Sequence, residues 1–105
     1  QQGVFERYLN EANQLVPGEN ADLEGFLDII DKDLDRTFPH HERFSVEGGE
    51  GQRELRSVLR AYCMYNKELG YTQGMGMVAG TLLMQMSTEE SFWCLVCLCD
   101  KKEYL

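Results

Sequence analysis

Apolar residues in this chain recur at spacings of three and four and nowhere alternate over a useful length, which restricts it to helices. Val4, Phe5, Tyr8, Leu9, Ala12 and Leu15 make the first such stripe, and Pro17-Gly18 ends it. Asn20 is placed to cap a second helix, with Asp22 and Glu24 near its positive end. Leu23, Phe26, Leu27, Ile30 and Leu34 form that helix's apolar stripe, and its acidic residues fall on the other face.

From Thr37 to Gly51 the pattern dissolves, because Pro39 disfavours helix at Phe38 and Gly48, Gly49 and Gly51 bracket Glu50. This reads as a loop. Leu55, Val58, Leu59 and Tyr62 restore helical spacing, which predicts a third helix from about Gln52 to Asn66 with Arg53, Arg56 and Arg60 on its outer face. Met77 to Met86 is apolar nearly all round apart from Thr81 and Gln85, the composition of a buried helix. Ser87 with Glu90 makes a capping-box pattern for a last helix, Thr88 to about Asp100. The expected fold class is all-α, a compact multi-helix domain.

A length of 105 residues suits one small domain with a modest core, and a 43% apolar share argues against disorder. Residues 1–50 hold twelve Asp and Glu against four Lys and Arg, while 51–105 hold six of each, so the net charge of −8 lies in the first half. Phosphate backbones and anionic lipid surfaces select basic patches, so nucleic acid is not an expected partner. No membrane-length apolar run or leader pattern is visible, which predicts a soluble intracellular domain without membrane insertion. A start at Gln1 suggests an excised piece. Cys94, Cys97 and Cys99 lie in a stretch rich in Phe, Trp, Leu and Val, and together with Cys63 they are expected to be buried thiols. Phe92, Trp93, Leu95, Val96 and Leu98 point in too many directions for the preceding helices to cover. An exposed apolar patch, filled by self-association through 88–99 or by domain swapping, is expected there.

Chemistry concentrates in two segments. In Ile30 to Phe44, an acidic helical pattern ends at Arg36 and is broken by Thr37, Phe38 and Pro39. Asp31, Asp33, Asp35 and Glu42 fall at positions 1, 3, 5 and 12 of a calcium loop spanning 31–42, but position 6, which needs glycine, is Arg36. Cys94 and Cys97 with His40 and His41 are a weaker zinc candidate, since the helix that carries the thiols is apolar. The second segment is Glu68 to Met75, where Gly70, Gly74 and Gly76 surround Gln73. Phosphoryl transfer from GTP uses an arginine to neutralise charge on the phosphates and a glutamine to orient the attacking water. Arg36 and Gln73 supply one of each, although their spacing alone does not separate them from solvated surface residues.

Ile30-Asp31-Lys32-Asp33-Leu34-Asp35-Arg36 resembles the Ile-x-x-Asp-x-x-Arg signature of the TBC domain of Rab GTPase-activating proteins, and Tyr71-Thr72-Gln73 resembles its Tyr-x-Gln signature. Leu55, Val58, Leu59, Ala61-Tyr62, Ala79-Gly80 and Glu89 to Trp93 are similar in the same order, so the likeness runs over roughly 20–98.

The resemblance implies a dual-finger GTPase activator in which Arg36 is the arginine finger and Gln73 the glutamine finger, both supplied in trans to a Rab-family GTPase in its GTP form. It further implies that Asp33 orients the guanidinium, that Ile30 anchors the helix in the core, and that Tyr71 packs beside the finger loop. GTP and Mg²⁺ would enter with the partner, the domain needing no cofactor and having no independent catalytic activity. TBC domains carry a further C-terminal helical half, so 1–105 is read as the N-terminal part of a TBC-like domain, truncated at its C-terminus. The implied setting is vesicle trafficking, with the protein cytoplasmic and peripheral to endomembranes through the GTPase. A helical module that binds a GTPase or scaffold without accelerating hydrolysis is the alternative.

Overall fold

The computed structural model describes residues 3–14, 21–37, 49–66, 71 and 74–100, with side chains for all of these except Ala21, Asp35, Arg36, Thr37 and Asp100. Five helices follow in order: α1 (Val4–Asn13), α2 (Ala21–Thr37), α3 (Glu50–Tyr65), α4 (Met75–Leu83) and α5 (Thr88–Asp100). The all-α class is therefore observed, with helix limits within three residues of those expected wherever both ends are described; α4 departs most, ending at Leu83 and not Met86. Leu15, Pro17-Gly18, Asn20 and the 38–48 part of the expected loop lie outside the described residues.

α3 is the hub, packed against each of the other four helices. That position explains its sequence, because Ala61, Tyr62, Cys63 and Met64 are all buried, which a helix covered on one side could not achieve. Around it, Leu27, Ile30 and Leu34 from α2, Met75, Ala79 and Leu83 from α4, and Phe92, Leu95, Val96 and Cys99 from α5 form one continuous core. Ala12, Leu23 and Met64 form a smaller cluster where α1, α2 and α3 converge.

Two local signals act as their chemistry requires. Glu90 N–H donates to Ser87 Oγ at 3.2 Å while Ser87 N–H donates to Glu90 Oε1 at 3.2 Å, the reciprocal capping box at the start of α5. Gly74, which caps α4, has φ 98°, a left-handed conformation that side chains with a Cβ resist.

Four expectations need correction. The apolar patch on α5 is absent: Phe92, Leu95 and Val96 are buried, while Trp93 and Leu98 are half-buried. α1 supplies the missing cover, since the Phe5 ring lies 5.4 Å from that of Phe92 and Tyr65 of α3 stacks edge-on to Phe92 at 5.9 Å. Self-association through 88–99 thus loses its premise. α4 is not buried all round, because α2, α3 and α5 leave its fourth side open and Met77 is 53% exposed. Cys97 is exposed and Cys94 half-buried, whereas Cys63 and Cys99 are buried. Arg60 is not on the outer face; its side chain is only 13% exposed.

Candidate functional site

The two chemically marked segments meet through Asp33 and Tyr71. The Tyr71 hydroxyl donates to Asp33 Oδ2 at 3.1 Å, and the backbone N–H of Gly76 acts on it in the opposite sense, favouring the phenolate. Gly76 lies in the first turn of α4, where N–H groups have no intrahelical partner. Tyr71, 9% exposed, therefore ties the last turns of α2 to the segment that leads into α4. Burial, the hydrogen bond to Asp33 and the Asp33 charge together push the Tyr71 phenol up to about 12, so it stays a protonated donor across the ordinary pH range.

The opposite flank of α2 is held by a second carboxylate. Residues two apart on a helix project about 200° from one another, so Asp31 turns away from Asp33 and toward α3. Arg56 Nε donates to Asp31 Oδ1 at 2.7 Å and its Nη2 to Oδ2 at 3.5 Å. Arg60 Nη1 approaches the same carboxylate at 3.9 Å, while its Nη2 donates to the carbonyl of Ala12 in the last turn of α1 at 3.3 Å. A cation there satisfies a carbonyl at the helix's negative end. Burial and neighbouring Arg56 lower the Arg60 pKa, and Asp31 partly offsets them. Exposed ion pairs contribute only ~0–1 kcal/mol, so the Arg56 pair matters more for direction than for stability. Asp31 and Asp33 clamp α2 from both flanks, and that fixes the rotation of the helix about its own axis.

Ile30, between them, is fully buried in the core. Arg36 lies in the last turn of α2, one helical turn beyond Asp33. Its side chain lies outside the described residues, as do Gln73, Glu42, His40 and His41. The calcium-loop reading of 31–42 fails, because residues 31–37 are helix and Asp31 and Asp33 project to opposite sides of it. For zinc, Cys94 has the Met86 thioether at 3.6 Å as its sulfur neighbour, and no group of three metal-binding side chains occurs among the described residues.

Sequence reasoning missed the Asp31–Arg56–Arg60 cluster. Arg56 and Arg60 stand four apart, a spacing that puts both on one face of α3, but nothing in the chain marks which of the preceding acids they meet.

A helical domain in which the end of an acid-rich helix is locked by a buried tyrosine to a glycine-capped turn defines a class, and comparison with known proteins identifies it. Residues 6–105 match the model of the Rab-GTPase-TBC domain, and the chain belongs to that family. It is 44% identical over 104 residues to human TBC1 domain family member 10B, covering 90% of this chain and 13% of that protein. It is 50% identical over 76 residues to mouse TBC1 domain family member 10A, covering 72% of this chain and 15% of the relative. The Drosophila TBC1 domain family member whacked is 41% identical over 93 residues, covering 87% and 24%. The chain thus spans between about an eighth and a quarter of the length of these relatives.

Proposed function

We propose that this chain carries the catalytic fingers of a GTPase-activating protein for a Rab-family small GTPase. Arg36 enters the partner's nucleotide site and neutralises charge developing on the transferring phosphoryl group. Gln73 orients the attacking water in place of the GTPase's own glutamine. Asp33 braces the Arg36 guanidinium as well as accepting from Tyr71, since a carboxylate has lone pairs for both. GTP and Mg²⁺ belong to the partner, and the protein sits in the cytoplasm at endomembranes because its GTPase does.

The observation that supports this reading best is the Tyr71–Asp33 hydrogen bond. Two side chains can act on one phosphoryl group only if the elements carrying them hold a constant separation. The bond joins α2 three residues before Arg36 to the backbone two residues before Gln73. Tyr71 and Asp33 are positioning residues in this scheme.

GTP turnover across a panel of Rab GTPases, with the wild-type chain, Arg36→Ala, Arg36→Lys and Gln73→Ala, tests it. The wild type should accelerate at least one Rab and each variant should lose most of that acceleration. Lysine fails because it lacks the planar fork that bridges phosphate oxygens. Binding without acceleration in every case would leave a non-catalytic GTPase-binding module instead.

A further inference from the structure

α2 carries a surface feature that its own fold does not use. Gly25 sits within the helix, exposed, and a Cβ built on it would meet nothing within 4 Å. Glycine is the least favourable interior helix residue after proline, and neither a positive φ nor a close internal contact requires one at this position. One turn further on, Ile29 is 46% exposed, although α2 buries Leu23, Leu27, Ile30 and Leu34 on its core face. Helical spacing places Gly25 and Ile29 on one solvent face with exposed Asp22. The face thus shows bare backbone beside a protruding apolar side chain.

We infer that the Asp22–Gly25–Ile29 face of α2 is the docking surface for the GTPase, with an apolar side chain of the partner seated over Gly25 and a partner cation facing Asp22. This rests on the finger reading above, which also identifies the occupant. A standard interface of roughly 800 Å² per partner reaches about 16 Å from its centre. At 1.5 Å per residue, Ile29 lies about 10 Å and Gly25 about 16 Å along the helix axis from position 36. A partner that takes Arg36 into its nucleotide site therefore covers Ile29 and reaches Gly25. A glycine there lets the partner's surface approach the backbone closely.

The test uses substitutions whose effects on folding and docking have opposite signs. Gly25→Gln covers the bare backbone with a better helix former, and Ile29→Ser removes the apolar side chain. Both are measured by thermal unfolding, by titration against Rab GTPases loaded with a non-hydrolysable GTP analogue, and by turnover at saturating activator. Gly25→Gln should melt above the wild type yet bind at least tenfold more weakly. Ile29→Ser should melt within a few degrees of the wild type and bind at least tenfold more weakly. The maximal turnover rate should stay unchanged in both. Affinities within twofold of wild type for both variants overturn the inference, as does a wild-type chain that binds no Rab in the panel. A wild-type dimer dissociated by Ile29→Ser assigns the face to a second copy and overturns it too. If both variants lose affinity while Arg36→Ala leaves turnover unaltered, the docking surface stands and the catalytic reading falls.

Discussion

Tyr71 donates its hydroxyl hydrogen to Asp33 across 38 positions of sequence, at 3.1 Å, and in doing so joins the end of α2 to the turn that starts α4. Removing that hydroxyl takes one hydrogen-bond donor from the Asp33 carboxylate in a part-buried place. Tyr71→Phe should therefore destabilise the domain by about 1–2 kcal/mol, the range for losing a donor to a part-buried carboxylate. Denaturant unfolding of the two proteins measures it. In the proposed mechanism, activation of the GTPase should fall by a larger factor than stability explains, since the separation of Arg36 and Gln73 would depend on the same bond.

The phenol also predicts a pH dependence. Its pKa is raised from about 10 to about 12 in the folded chain, so folding favours the protonated form. A raised value means that the contribution is complete below the unfolded pKa and is lost as pH rises through the folded one. The stability difference between wild type and Tyr71→Phe should therefore be constant up to about pH 10 and shrink from there to about pH 12. Cys63, whose thiol burial pushes to about 12, is present in both proteins, and its charge is among the causes that raise the Tyr71 phenol.

Gly74 is the backbone counterpart of Tyr71. At φ 98° with open space around its Cβ position, substitution is resisted by conformation alone. Gly74→Ala should cost about 1–2 kcal/mol, the penalty of a left-handed L-residue, and Gly74→Asn less, because asparagine tolerates that region. Unfolding midpoints of the two variants check the order.

The thiols divide by burial. Cys97 is exposed and should react with an alkylating reagent within minutes in the native protein. Cys63 and Cys99 are buried and should react only on unfolding. Mass spectrometry of partially labelled protein distinguishes them. Labelling of Cys63 as fast as Cys97 in native buffer would contradict the packing around α3.

Much of the architecture was legible because helices declare themselves locally. The stripes from Val4 to Ala12 and from Leu23 to Leu34 specify both an element and its buried face, and Ser87 with Glu90 specifies where α5 begins. What was not legible depends on distant cover. Nothing near Phe92 says that Phe5 returns to shield it, and nothing near Met77 says that the neighbouring helices leave one side of α4 open. Among the site residues, burial of Ile30 follows from its stripe. Direction does not: Asp31 and Asp33 look alike in sequence, yet one faces Arg56 and the other Tyr71.

The most direct measurement is single-turnover GTP hydrolysis by a Rab GTPase that binds this chain, with wild type, Arg36→Ala and Gln73→Ala compared at equal occupancy of the complex. An arginine finger delivered in trans contributes on the order of 10³ to 10⁵ in rate. Arg36→Ala should return hydrolysis to within about tenfold of the Rab's intrinsic rate, and Gln73→Ala should lose most of the acceleration, while both still bind and melt close to wild type. Hydrolysis that stays fast in either well-folded, fully bound variant would contradict the dual-finger mechanism.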